Sequence, residues 1–180
     1  RPALVPYAPR LRSVKLRDLG CTNGTSLWFM AREGFNTTGI DGSDVAIAGA
    51  TRFLAEKNLH AQLDVGDILE MDYPENSFDG VVDHLCLDGM VLADFQKACK
   101  IIRRILKPNG LFFSKQLMAG STGETTGEAL EGEPHTSVNP TCPFYSHNAG
   151  VFRYTTAEQI TLLCPDIDLV QYDLVTHPAD

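Results

Sequence analysis

The stretch VKLRDLGCTNG, residues 14–24, decides how the rest of the chain is read. A β-prone run reaches an acid at Asp18, and a loop follows with glycines at Gly20 and Gly24. Two positions without a Cβ let backbone N–H groups approach a bound molecule unobstructed. TSLWFMARE (25–33) reads as a helix with Leu27, Met30 and Ala31 on one face, stopped by Gly34. The loop therefore joins a strand tip to a helix N-terminus, which favours negative or polar ligand groups. Taken alone, D-L-G-x-x-x-G fits a structural strand-to-helix turn nearly as well.

The same alternation continues outward. NTTGID (36–41), AQLDVGDI (61–68), FDGVVDHL (78–85) and GLFFSKQLM (110–118) have strand character. Between them lie a helix from Asp44 to about Asn58, capped by Ser43, and an amphipathic helix over 92–106 that LKPNG stops. Strands alternating with helices predict a parallel sheet wrapped by helices. Residues 119–153 show no period and read as a lid or binding loop, or as a disordered connector. A T-x-x-E capping box at Thr155 and Glu158 opens a helix to about Cys164, and a last strand spans 168–177.

At 180 residues the chain suits one domain, 1–180, and its 43% hydrophobic and 21% charged content is that of a globular protein. A net charge of −8 makes nucleic acid an unlikely partner, although KACKIIRRILK (97–107) is locally basic. No apolar run reaches the ~20 residues of a bilayer span, so no membrane association is expected. The five cysteines are odd in number and lack C-x-x-C spacing. Reduced thiols in a cytoplasm are the simple expectation, with no disulfide framework and no metal site. Arg1 is not an initiator Met, so the chain is expected to be processed, trimmed or cut from something longer.

In open parallel sheets, ligands bind at the carboxyl ends of the strands where strand order reverses. Four places answer to that rule: the loop after Leu19, Asp41, Asp67, and Asp83–His84. Asp41 suits the vicinal hydroxyls of a ribose, unless it is a helix-entry acid ahead of Ser43. Asp67 suits an exocyclic amine such as that of adenine, with the Ile68 backbone at the ring edge, unless it is a solvated turn acid. His84 is a candidate general base, although a structural histidine is the more ordinary reading.

DLGCTNG, GIDGSD, VGDILEMDYPENSFDGVVD and LKPNGLFF, in that order, resemble the class I methyltransferases that use S-adenosylmethionine. The similarity covers roughly residues 14–118 and continues weakly through YTTAEQI. It implies a three-layer αβα sandwich around a mostly parallel, doubly wound sheet. It also implies S-adenosylmethionine as cofactor and a small-molecule methyl acceptor. By resemblance, Gly20, Cys21, Thr22 and Gly24 hold the methionine end, and Asp18 orients its amino group. Asp41 binds the ribose, with Gly42 and Ser43 flanking the adenosine. Asp67 and Ile68 read adenine, and Asp83 and His84 border the acceptor.

Two departures stand out. Thr22 occupies a position that is usually glycine, which narrows the backbone's options. The chain ends after the first strand of the family's final antiparallel hairpin, so the sheet is expected to lack its last strand. The 168–177 strand would then lie beside the fifth, or another copy of the chain would fill the edge. An inactive or truncated cofactor-binding module is the alternative function. A nicotinamide-dependent dehydrogenase is disfavoured, because G-x-G-x-x-G is missing. Should the acceptor need a base, His84, His135 and His147 are the candidates.

Overall fold

A computed structural model describes residues 11–141, 150–171 and 173. Its centre is five parallel strands: β1 (Lys15–Leu19), β2 (Asn36–Asp41), β3 (Gln62–Val65), β4 (Phe78–His84) and β5 (Leu106–Lys115). They lie in the order β3-β2-β1-β4-β5. Leu19 pairs with Ile40 on one side and Asp83 on the other, which aligns three strand tips. The chain winds outward from β1 to β3, then crosses back to begin β4 beside β1. In open sheets that reversal is where a ligand crevice forms, which here means between the tips of β1 and β4.

Helices cover both faces. α1 (Thr25–Glu33) and α2 (Asp44–Glu56) bury Leu27, Met30 and Leu54 with Cys21 on one side. α3 (Leu92–Ile105) buries Phe95, Ala98, Ile102 and Ile105 against Leu19, Phe78 and Val81 on the other. Gly34 ends α1 in the left-handed region at φ 98°, its N–H donating to the Ala31 carbonyl at 3.0 Å. Ser43 Oγ accepts from the Ala46 N–H at 3.2 Å and starts α2, as the sequence implied.

The expected αβα sandwich is present, but several elements differ. β3 stops at Val65, because residues 68–70 tighten into a 3-10 turn. β5 begins at Leu106, where α3 ends, and takes up LKPNG through a register shift between Phe78 and Gly80. The 119–153 segment is not structureless. It contains α4 (Thr122–Thr126) and an antiparallel sheet of β6 (Glu128–Ala129), β7 (Thr136–Val138) and β8 (Val151–Arg153). Strands of two or three residues are too short to leave a periodic signature.

The capping box forms one residue later than expected. Gln159 Oε1 accepts from the Thr156 N–H at 3.1 Å, ahead of a 3-10 turn and α5 (Ile160–Leu163). Thr155 is instead buried, its N–H donating to the Leu117 carbonyl at 2.8 Å. Residues 168–171 form no strand, and the rest of the expected 168–177 strand, apart from Asp173, lies outside the described residues. Among the described residues β5 therefore ends the sheet.

The cysteine expectation is also corrected. Cys99 of α3 and Cys164, just after α5, form a disulfide across a 65-residue separation. Neither count nor spacing reveals a pair that only helix packing brings together. The expectation of a reducing compartment rested on free thiols and gains nothing from this pair. Among the described residues, no helix is long and apolar enough to cross a membrane.

Candidate cofactor and active site

The turn after β1 is built from left-handed backbone: Gly20 at φ 58°, Thr22 at 43° and Gly24 at 81°. A Cβ on Gly20 would stand 2.4 Å from Cys86 Sγ, so only glycine fits where the turn passes the β4 loop. Thr22 is the costly member, since a β-branched side chain disfavours that region. Its N–H donates to Asp41 Oδ2 at 2.9 Å, which ties the turn to the tip of β2.

Asp41 serves two masters. Its Oδ1 accepts from the Ser43 N–H at 2.9 Å, so the helix-entry role is present as well. Each carboxylate oxygen still has a lone pair for an incoming hydroxyl. Gly42 and Ser43 follow at the crevice rim, and both are exposed.

Asp18 is the anomaly. It is 2% exposed, and its Oδ2 has no hydrogen-bond partner among the described residues. Burial, reinforced by the Asp83 and Asp41 carboxylates and offset by Arg17, raises it to about 7. A buried orphan acceptor beside a bare peptide turn fits a cationic donor, such as an α-ammonium group. Cys21, next in the turn, is buried and is raised to about 12 by burial and the neighbouring Asp18 and Asp41 carboxylates, so it packs rather than reacts.

Asp67 is exposed and caps the 3-10 turn, its Oδ1 accepting from the Leu69 N–H at 2.8 Å. Ile68 is buried beside it. The turn-acid reading is thus present in the structure, with the second carboxylate oxygen still available.

Asp83 points inward. Oδ1 accepts from the Cys86 and Leu87 N–H groups at 2.9 and 3.1 Å. Oδ2 accepts from Ser114 Oγ at 2.6 Å and Gln116 Nε2 at 2.8 Å. Its carboxylate shapes the β4 loop, and burial raises its pKa despite those four bonds. His84 is exposed at the end of β4 opposite Lys115, and its imidazole has no hydrogen-bond partner among the described residues. His147 lies outside the described residues.

The sequence reading missed a second layer. Asp88 is fully buried, its Oδ2 accepting from the Leu117 N–H at 2.8 Å, and burial lifts it to about 7. Arg153 of β8 is 3% exposed, and its guanidinium stacks 4.4 Å from the centre of the Phe95 ring. Asp88 ties the turn after β4 to the segment that follows β5, and Arg153 ties the insertion to α3. The signal was faint: an acid in a short turn, and an arginine just ahead of the T-T cap. No group of metal-ligating side chains gathers among the described residues.

Comparison with known proteins supplies the family. The profile described as methyltransferase domain matches residues 17–110, just over half of the chain. The chain belongs to the class I methyltransferases. Its residues 17–110 form the S-adenosylmethionine-dependent methyltransferase domain of that family. The methyltransferase fold is also seen in a SAM-dependent methyltransferase from Methanosarcina mazei, at a TM-score of 0.73 and 19% identity, covering 84% of this chain and 77% of that one. The [4+2]-cyclase SpnF shares the fold at a TM-score of 0.60 and 24% identity, covering 84% of this chain and 50% of that one. Sterol 24-C-methyltransferase erg6 of Aspergillus fumigatus is 33% identical over 103 residues, 55% of this chain and 26% of its own length. The methyltransferase chain thus spans about a quarter of that relative.

Proposed function

We propose that this methyltransferase transfers its methyl group to a small-molecule acceptor, with the donor in the crevice between β1 and β4. The orphaned, buried Asp18 carboxylate beside the Gly20–Gly24 turn carries the reading. Asp18 receives the ammonium of the methionine end, and the turn of Gly20, Cys21, Thr22 and Gly24 passes along it. Asp41 accepts the ribose hydroxyls, flanked by Gly42 and Ser43. Asp67 and Ile68 meet the adenine. Asp83 acts from within, holding the loop whose backbone, with His84, borders the acceptor.

S-adenosylmethionine supplies a methyl group already activated on a sulfonium. The residues of the chain then have to align an acceptor in line with that carbon and exclude water, which accounts for most of the rate. A net charge of −8 and a built insertion at the strand tips favour an enclosed small acceptor over a phosphate backbone. The sterol methyltransferase relatives act on a small organic acceptor, as their name says, which points the same way.

Calorimetry with S-adenosylhomocysteine tests the donor site. Asp18→Asn and Asp41→Ala are each expected to weaken binding by about 2 kcal/mol, the scale of a lost charged hydrogen bond. Affinity unchanged in both variants would remove the crevice as the donor site.

A further inference from the structure

The insertion carries a carboxylate–imidazole pair that donor binding leaves unused. His135 Nδ1 lies 2.7 Å from Glu124 Oε1. A carboxylate only accepts, so Nδ1 carries a proton, and in the neutral ring Nε2 presents a lone pair. Nε2 has no hydrogen-bond partner among the described residues. The other carboxylate oxygen, Glu124 Oε2, accepts from the Gly120 N–H at 2.5 Å. Burial pushes Glu124 up, but the Gly120 and His135 hydrogen bonds outweigh it and hold the group below its ordinary value.

Many exposed ion pairs do nothing measurable. This one differs in its setting. Both side chains line a cavity of about 470 Å³ with Leu130, Glu133 and Thr136, a size that accepts a small organic molecule. The backbone that carries the imidazole is fixed as well. His135 sits at φ 57°, and its carbonyl accepts from the N–H of buried Tyr154 at 2.7 Å. The cavity wall is pinned to the donor end of the sheet, where Glu133 Oε2 accepts from the N–H of Leu92, the first residue of α3 after the β4 tip.

We propose that this cavity extends the acceptor site that the β4 loop and His84 border, and that His135, oriented by Glu124, is the general base for a neutral O–H or N–H acceptor. The proposal rests on the donor reading above. The acceptor heteroatom forms a bond to the methyl carbon, whose bond to sulfur breaks with its electron pair left on the sulfur. The acceptor's proton passes to His135 Nε2 and from there to water. Glu124 and Glu133, both lining the cavity, disfavour an anionic acceptor. Arg153 on β8 feels the Asp88 and Glu133 carboxylates, so this end of the insertion also carries a buried cation.

The test uses the full chain with His135→Asn, since asparagine tolerates the left-handed backbone, and with Glu124→Gln. Transfer of labelled methyl from S-adenosylmethionine to a panel of phenols and alkylamines is measured beside S-adenosylhomocysteine affinity. At least one acceptor class is expected to be methylated. His135→Asn should lower kcat about 10²- to 10⁴-fold with affinity for S-adenosylhomocysteine unchanged. Added imidazole or alkaline pH should restore part of that rate, and Glu124→Gln should show a smaller loss. A wild-type kcat in His135→Asn overturns the proposal, as does a loss that neither imidazole nor alkali repairs. Silence across the whole panel with S-adenosylhomocysteine still bound overturns it too. Failure of the wild-type chain to bind S-adenosylhomocysteine instead defeats the donor reading on which it stands.

Discussion

Asp18 sits near the tip of β1 with an oxygen that nothing among the described residues satisfies. Its raised pKa of about 7, against 3.8 for the ordinary group, has a definite thermodynamic sign. Below 3.8 both folded and unfolded chains hold the proton, and no stability is lost. Between 3.8 and about 7 the unfolded chain releases a proton that the fold retains, so stability falls as pH rises. Asp88, also at about 7, adds to the same slope. The ligand-free protein should therefore melt lower at pH 7.5 than at pH 5 insofar as these two groups dominate. Asp18→Asn should raise the melting temperature at pH 7.5 while weakening S-adenosylhomocysteine. Thermal melts at the two pH values check the slope, and calorimetry checks the trade.

Gly20 makes the companion case. Its backbone is left-handed, and an added Cβ would meet Cys86 Sγ at 2.4 Å. Gly20→Ala is expected to destabilise the chain by about 2 kcal/mol, read from urea denaturation. Single residues were unevenly legible in the sequence. Asp41 and Gly20 were visible because a strand tip and a bare turn leave local marks. The inward turn of Asp83 was not, because Ser114 and Gln116 reach it from β5 and just beyond, across the sheet.

Elements were legible in proportion to their length. α3 and the parallel strands carry enough residues to display a period, and they were placed within a few positions. β6, β7 and β8 are too short to do so. The contacts that brace elements against one another were likewise hidden. Arg17 of β1 is fully buried and reaches Asp64 of β3 at 2.9 Å, with its guanidinium 4.5 Å from the centre of the Tyr73 ring. Asp64→Ala would strand that charge, and a loss of about 3 kcal/mol in denaturant is expected. The Cys99–Cys164 bridge fastens α3 to the α5 segment. A closed loop of this length restricts the unfolded chain by about 4 kcal/mol in the chain-entropy account. Cys164→Ser, or dithiothreitol on the parent chain, should lower the melting temperature by several degrees in scanning calorimetry.

At the scale of the molecule, a donor bound at the three aligned tips, as proposed, would couple binding to folding. A ligand that binds only the folded chain adds about 2.7 kcal/mol at one hundred times its Kd. For a chain of this size that is roughly 6–10 °C in the melting temperature. S-adenosylhomocysteine should produce that shift in the parent chain and about a third of it in Asp41→Ala at the same concentration, given the ~30-fold weaker binding that a loss of about 2 kcal/mol implies. The doubly wound order was legible because strand–helix alternation and the placement of acids at strand ends are properties of the whole chain. Where the sheet stops was not, since β5 exposes Leu111 and Phe113 with the same residue types that a covered strand would use.

The insertion leaves and rejoins the sheet at neighbouring points. Ala119 N–H donates to the Thr155 carbonyl at 3.0 Å, and Thr155 N–H donates to the Leu117 carbonyl at 2.8 Å. Its two ends are thus stapled side by side at the margin of β5, with the tips of β1, β2 and β3 untouched. Such a cassette can be lengthened, shortened or transplanted between relatives without re-registering a single parallel strand. Substrate range can drift on this scaffold while the donor machinery stands still.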